Sequence, residues 1–598
     1  MFTHKSQADL IPSMFVSTAI AMIFTQLAGY GTVLIDGIIT SRALGSHAYS
    51  GVSLLGPFNG ILLLLSGGVS IGAQVVSSQS IGRGEKDRAN ASFTIAVISV
   101  IVLALVLVLL CIFLPGELFS FCGVTEASHP EIYPHMSGYL KGFMPGIVFM
   151  MLIQVIGPFI VMDSGKALFT SSAFLFGGLN IAGDWLNGYV LHGGTFGMGL
   201  ATSAAYFIQF MMLLTHFMKS KSYFRLSLKG FEFSQLIEML NAASPAFVMK
   251  FATALRDLAV NRINIHVALT TAAIAARGIQ NDLNTVLFCL GLGIGKTLLT
   301  MTGMFYGADD RRGLTKLFTC AMKMAALTSG IVGVLAFLGA DWIAKCFTNE
   351  PEVIELAAFS IKCMAIGILP DTLSVSFHDY LQGISERKLV NALNFADRFF
   401  IPVATALVMG IYFGSKGIMA SIAVGKVILL VLLVIIVLVR TGSLRNFMLL
   451  PETFGGKESD NIYASITSTE GVMTESMRAE RFCLEHGVSS SQAKLMSLFV
   501  EEAAGNIIAH GKTKRYGRIS TDYRLSISGG KICLTLRDNG EHFDPSAFYA
   551  MNKNASPEEI SGLKIVMGLA DDVRYFNAFN SNNIMIYIDT QKGDADER

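Results

Sequence analysis

The sequence predicts an α-helical membrane protein, with about twelve transmembrane helices in two six-helix repeats followed by a small soluble α/β sandwich domain. Three observations lead there. Of 598 residues, 52% are hydrophobic and only 15% charged, with a mean hydropathy of +0.54, too apolar for a surface that must be wetted throughout. Apolar runs of bilayer-spanning length recur as far as Arg440 and then stop: no charge interrupts Ala91 to Pro115, and ILLVLLVIIVLV fills the stretch before Arg440. The halves of this apolar region also match each other without a gap.

Taken in order, the spans lie near 11–35, 50–78, 91–115, 136–162, 168–191, 196–218, 243–269, 281–305, 320–345, 353–380, 392–412 and 417–440. The first reads as a membrane helix, because MFTHKSQADLIPSMFVSTAIAMIF is too long for a removable signal and lacks a small-residue cleavage pattern. The polar stretch HFMKSKSYFRLSLKGFEFSQLIEML divides an N-terminal lobe, 1–222, from a C-terminal lobe, 223–445. Sliding the second lobe back by 225 positions brings Asn284 onto Asn59, Gly293 onto Gly68, Ala268 and Leu269 onto Ala43 and Leu44, and Gly307 onto Gly82. Six helices per lobe is an even number, so both lobes share one orientation, as in parallel transporter repeats.

That register explains LGLGIGKT, residues 290–297, which ends like a phosphate-binding loop. Gly-x-x-x-x-Gly-Lys-Thr would need glycine at Leu290, and the stretch aligns instead with LSGGVSIG of the second span. Both are small-residue helices suited to close packing, and Lys296 is left either to snorkel or to line a cavity. The eight cysteines show no metal or redox spacing and read as buried thiols. A net charge of +1 gives no reason to expect nucleic acid.

Basic residues cluster in alternate loops: Arg83, Lys86 and Arg88; Lys219, Lys221, Arg225 and Lys229; Arg311, Arg312 and Lys316; Arg387 and Lys388. The positive-inside rule makes these loops and both termini cytoplasmic, in a multi-pass protein of the plasma membrane.

A carboxylate within a bilayer costs at least about 2.5 kcal/mol, so it is paired, hydrated, protonated or bound to a cation. Asp36, in LIDGIITSRALG, and Asp184, four residues after Asn180 and so on its helical face, are the main candidates. Such a cluster can exchange H⁺ or Na⁺ for a substrate, or serve as a structural polar network. Asp257, beside Arg256 and near Arg262, suits an ion pair as well as a cation site, and Asp371 follows Pro370, with His378 and Asp379 further along.

Asp36, Arg42 and Gly45 form D-x5-R-x2-G, IGRGEKDRA follows the second span, and Asn180 and Asp184 form N-x3-D. Together with the duplicated plan, residues 10 to 445 resemble the multidrug and toxic compound extrusion (MATE) family. The resemblance implies V-shaped six-helix lobes and efflux of small organic, often cationic compounds, driven by inward H⁺ or Na⁺. In one branch, residues matching Asp36, Asn180 and Asp184 are implicated in cation coupling; other branches use carboxylates of the seventh and tenth spans, where Asp257 and Asp371 stand. Ser41 replaces a usual glycine, and Trp185 a usual proline.

After a linker, 446–473, the chain from 474 to 598 has an ordinary soluble composition. QAKLMSLFVEEAAGNIIAHG reads as a helix, YRLSISGGKICLTLRD as a hairpin turning at Gly529-Gly530, and SGLKIVMGLADDVRYF then NNIMIYI as a helix followed by strands. Glu502, Asn506 and His510 share one helical face, and RDNGEHFDP supplies Asp538 and Gly540. Asn and Glu together can hold Mg²⁺ and polarise a nucleophile, and a buried Asp can accept from an adenine amino group; the alternative is an exposed polar stripe and a plain turn. The order E-x3-N-x3-H, D-x-G-x2-F-D-P, then G-L-x-I before DDVRY resembles Bergerat-fold (GHKL) ATPases, especially the serine kinases of anti-sigma-factor antagonists. On that resemblance Asn506 carries Mg²⁺, Glu502 assists the attacking hydroxyl, Asp538 reads adenine, Gly540 permits close approach, and His510 and Gly562 border the nucleotide. Ile560 stands where the family has the first glycine of a Gly-x-Gly turn.

The leading expectation is a cation-coupled antiporter exporting small organic compounds, with a cytoplasmic ATP-binding regulatory domain. Two other functions fit the same sequence: a membrane-tethered serine kinase-like protein acting on a cytoplasmic anti-sigma-antagonist-like partner, and a flippase of lipid-linked substrates drawn from the membrane.

Overall fold

The computed structural model describes residues 10–219, 222–266, 270–443, 446–511, 519–551, 562, 564 and 566–590. The helical body opens with α1 (Leu10–Leu44), α2 (Ser46–Ser53), α3 (Gly56–Gly82), α4 (Lys86–Phe113), α5 (Pro115–Phe121), α6 (Tyr133–Met162), α7 (Lys166–Leu186) and α8 (Gly194–Phe217). Its second half holds α9 (Phe233–His266), α10 (Thr271–Gly307), α11 (Arg311–Phe347), α12 (Pro351–Gly383), α13 (Arg387–Phe395) and α14 (Ile401–Thr441). α14 contains two spans, because Gly414, at φ 58° and ψ −140°, breaks the helical path. Only glycine enters that region without strain. With α2 and α5 as short connectors, the long segments make six spans per lobe, as the hydropathy predicts.

The repeat is visible in the packing. α3 ends at Gly82 and α10 at Gly307, 225 positions apart. A Cβ on Gly82 would strike the Met304 carbonyl, and one on Gly307 the Gln79 carbonyl, two residues also 225 apart. Such reciprocal contacts require a pseudo-two-fold axis between α3 and α10. Gly68 likewise packs on Phe247 of α9, and its repeat mate Gly293 on Ile23 of α1. The turns that follow are equivalent too: Gly84 at φ 72° and Asp309 at φ 53° are left-handed residues at matching positions. Asp310 then caps α11 by accepting from the Gly313 N–H at 2.8 Å.

On this face, called basal below, the lobes touch. Gln79 Nε2 of α3 donates to the Gly383 carbonyl and to Ser385 Oγ of the other lobe, both at 2.9 Å.

The C-terminal domain sits against the basal face. Its sheet is antiparallel, in the order β1-β2-β3-β5-β4, built from β1 (Asn461–Ile466), β2 (Thr521–Ser528), β3 (Lys531–Asp538), β4 (Asp572–Ala578) and β5 (Ser581–Asp589). The β2–β3 hairpin turns at Gly529 and Gly530, both at positive φ. Since β1 pairs with β2, the sheet begins upstream of residue 474, inside the stretch whose polar composition reads as linker.

One sheet face is covered by α15 (Thr469–Glu485) and α16 (Ser490–His510), through Phe482, Met496, Phe499, Leu525, Leu534 and Ile586. Phe576, Ala578, Phe579 and Met585 instead join the apolar cluster of the helical body. β5 shows the alternation directly, since Ile584 and Ile586 face the domain's own core while Met585 faces the body.

Filling the tight lobe contact is a direct test. Gly307→Val should cost about 1–3 kcal/mol through overpacking, seen as a lower Tm in detergent. Gly330→Val, at a glycine with no atom within 4 Å of an added Cβ, should be close to neutral.

Candidate functional site

The N-lobe carboxylates meet. Gly177 lets α7 lie against Thr32 of α1, and Gly188, in the π-helical turn that extends α7, lies against Ala43. These close approaches flank Asp184 on one helix and Asp36 on the other, and they bring the two carboxyl groups within hydrogen-bonding reach. Asp184 is fully buried, and neither of its oxygens has a hydrogen-bond donor among the described residues. Asp36 is half-buried and accepts from Thr40 Oγ1 at 3.4 Å.

Asn180, one turn from Asp184, donates through Nδ2 to Thr202 Oγ1 at 3.0 Å, and Thr202 donates to the Met198 carbonyl. Tyr139 and Tyr206 complete the surroundings, Tyr206 stacking on Phe176 with ring centroids 4.2 Å apart. Thr202, Tyr139 and Tyr206 carry no mark in the sequence, because they come from the neighbouring helices α6 and α8, whose facing residues local spacing does not single out. Trp185 is more than half exposed and leans towards Tyr189, so this departure points away from the carboxylates.

The C-lobe has a different arrangement. Lys426 Nζ of α14 lies 2.6 Å from Asp371 Oδ1 and 2.8 Å from Asp397 Oδ1, and Arg398 Nε lies 3.1 Å from Asp397 Oδ2. Asp397 sits in a π-helical turn, Ala396–Phe400, and Arg398 lies over the Phe288 ring. Asp371 therefore already has an internal counter-ion. Lys296 of LGLGIGKT faces Asp379, whose carboxylate occupies the space a side chain on Gly295 would need, so this lysine belongs to the same lobe's internal charges. Asp257 is mostly exposed and pairs with its neighbour Arg256 at 2.8 Å.

In the C-terminal domain, Glu502 and Asn506 lie one turn apart on α16, half-buried and exposed respectively. Gly562 packs so closely on Glu502 that its carboxylate occupies the place of a Cβ. Asp538, at the end of β3, is buried at 3% exposure, and its Oδ1 accepts from the Gly540 N–H at 2.8 Å and from Asn582 Nδ2 at 2.9 Å. Burial pushes the Asp538 carboxyl above the usual Asp range, with the Asn582 and Gly540 bonds opposing the shift. A buried acceptor beside a glycine suits an adenine amino group, and Glu502 and Asn506 one turn apart on α16 suit a Mg²⁺-bound phosphate chain. Ile560 and the His510 side chain lie outside the described residues.

Known proteins agree with both parts. The MatE family model matches residues 21–186 and 245–403, more than half of the chain, and a histidine kinase-like ATPase domain model matches 469–587. A probable multidrug resistance protein NorM of Photorhabdus laumondii is 22% identical over 398 residues, 64% of this chain and 81% of that protein. Its namesake in Agrobacterium fabrum is 23% identical over 432 residues, 68% of this chain and 89% of that protein. An outward-facing MATE transporter structure superposes with a TM-score of 0.66 at 19% identity, covering 71% of this chain and 94% of that one. The architecture is thus that of a multi-pass transporter with an ATPase-like appendage. The chain belongs to the MatE family and carries a C-terminal histidine kinase-like ATPase domain.

Removing Lys426 should expose what holds the C-lobe together. Lys426→Met leaves Asp371 without its cation and Asp397 with Arg398 alone, and should destabilise the protein by about 3–5 kcal/mol. Adding Asp371→Asn to it should recover part of the lost thermal stability in detergent.

Proposed function

We propose that this protein is a secondary antiporter of the plasma membrane that exports small organic, cationic compounds in exchange for H⁺ or Na⁺, with Asp36 and Asp184 as the coupling site. The supporting observation is the contrast between lobes. Asp371 and Asp397 are neutralised by Lys426 and Arg398, whereas Asp184 is buried against another carboxylate with no donor among the described residues. A proton or small cation between Asp36 and Asp184 relieves that repulsion, and its departure restores it. An organic cation bound near the pair competes for the same negative charge, which is what exchange requires. The names of the NorM relatives support the multidrug substrate class.

The basic loops put the basal face and the C-terminal domain in the cytoplasm. There the domain regulates transport rather than drives it. Asp538 accepts from the adenine amino group, Gly540 admits the ring, Asn506 holds Mg²⁺, and Glu502 stands beside the phosphate chain. When bound, ATP supplies charge and contacts at this site.

Two measurements test these readings. In proteoliposomes under separate H⁺ and Na⁺ gradients, Asp36→Asn or Asp184→Asn should reduce efflux of a fluorescent organic cation at least about tenfold, equivalent to about 1.4 kcal/mol; unchanged efflux with unchanged ion dependence sinks the coupling site. For the nucleotide, the accepting form of Asp538 is the ionised one, and its pKa is raised. Affinity for a fluorescent ATP analogue should therefore fall with decreasing pH sooner than an ordinary Asp would dictate, and Asp538→Asn should abolish binding.

A further inference from the structure

The C-terminal sheet grips both lobes at positions the internal repeat makes equivalent. On the N-lobe, Arg574 of β4 donates from Nη1 to the Arg83 carbonyl, the C-cap of α3, at 2.5 Å. On the C-lobe, Arg524 of β2 donates to the Ala308 carbonyl, the C-cap of α10, at 3.0 Å and to the Asp309 carbonyl at 2.8 Å. Arg83 and Ala308 are 225 residues apart, so one sheet reads the same helix terminus twice, once in each lobe. A cation suits both places, because helix C-termini carry partial negative charge.

Further contacts reinforce each hold. On the N-lobe, the Phe579 N–H donates to the Met162 carbonyl at 3.0 Å, and the Asn580 N–H to Ser164 Oγ at 2.7 Å. On the C-lobe, Arg537 lies 3.8 Å from Asp310 and over the Phe305 ring. Strands β2 and β4 are tied together through β3 and β5, so the two arginines sit on one hydrogen-bonded plate three strand spacings wide, about 14 Å. Rocking of one repeat against the other is how parallel-repeat transporters change access. Opening the basal face would separate α3 from α10, and the plate cannot follow both.

The plate is also wired to the nucleotide site. Asp538 Oδ1 accepts from Asn582 Nδ2, and Asn582 Oδ1 accepts from Asn577 Nδ2 at 2.8 Å. Asn577 Oδ1 then accepts from Ser164 Oγ at 2.7 Å, in the turn between α6 and α7. Both asparagines are at least 94% buried, so each bond is costly to leave unmade.

We propose that the C-terminal sheet is a strap holding the basal face shut, and that nucleotide at Asp538 loosens the strap through Asn582, Asn577 and Ser164. The inference rests on the reading of this domain as nucleotide-binding. An adenine amino group is an added donor to Asp538, in competition with Asn582. An Asn582 that turns away, retaining its bond to the Glu541 carbonyl, withdraws the acceptor from Asn577, and Asn577 in turn releases Ser164.

Hydrogen exchange on the full-length protein in nanodiscs tests this, with binding of a fluorescent ATP analogue measured in parallel. Addition of ATP and Mg²⁺ should speed exchange about tenfold in segments 162–166 and 308–311. Arg524→Ala with Arg574→Ala should produce the same increase without nucleotide and should raise cation-driven efflux. Neither arginine belongs to the domain's own core, so retained nucleotide binding by this variant shows that its domain is folded. Asn577→Ala should bind nucleotide normally but lose the ATP-dependent change at 162–166. No analogue binding to the wild type overturns the underlying reading, and the gate with it. Binding with unchanged or slower exchange overturns the gate alone, and a double arginine variant with wild-type exchange overturns the strap.

Discussion

Charge in a low-dielectric interior has to be neutralised, and this constraint organises the transporter body. The two lobes share a topology, down to the left-handed residues after α3 and α10, yet they meet the constraint in different ways. In the C-lobe a lysine and an arginine stand permanently beside Asp371 and Asp397, which makes that cluster a fixed part of the structure. In the N-lobe two carboxyl groups face each other, and among the described residues no side chain donates to Asp184. That contrast is what the proposed coupling site rests on.

The C-terminal domain obeys a second constraint, that of an antiparallel sheet whose two faces bury different chemistry: an apolar core under its own helices, and a mixed face of arginines and a few apolar residues towards the body. Its own helices cover one face, and the other meets the helical body through a few apolar residues, Phe576, Ala578, Phe579 and Met585, and through Arg524, Arg537 and Arg574. Docking is therefore part of how the domain buries its surface. Because the surface beneath it is assembled from two lobes, the same docking bears on their relative motion.

Much of this was legible in the chain. Hydropathy and the 225-residue offset gave the spans, the repeat and even the matching ends of α3 and α10. Asp36 and Asp184 stood out as charges where charge is costly. That they touch was not legible, since 148 positions separate them and only the approach permitted by Gly177 and Gly188 joins α1 to α7. The fate of Asp371 was equally hidden: its partner Lys426 lies on another helix, and nothing local pairs the two. Asn577 and Asn582 look like ordinary polar strand residues until the sheet order places them between Asp538 and Ser164.

Sequence by itself determined the membrane class, the duplication and the presence of a second, C-terminal α/β domain. Each of these follows from local composition or periodicity, which a one-dimensional reading samples directly. Tertiary structure alone decided which carboxylates are paired with cations, which face each other, and which two helix ends the arginines of one sheet hold together. Those outcomes depend on distances between residues far apart in the chain, set by how small residues let helices approach and by which face of a sheet is left to cover.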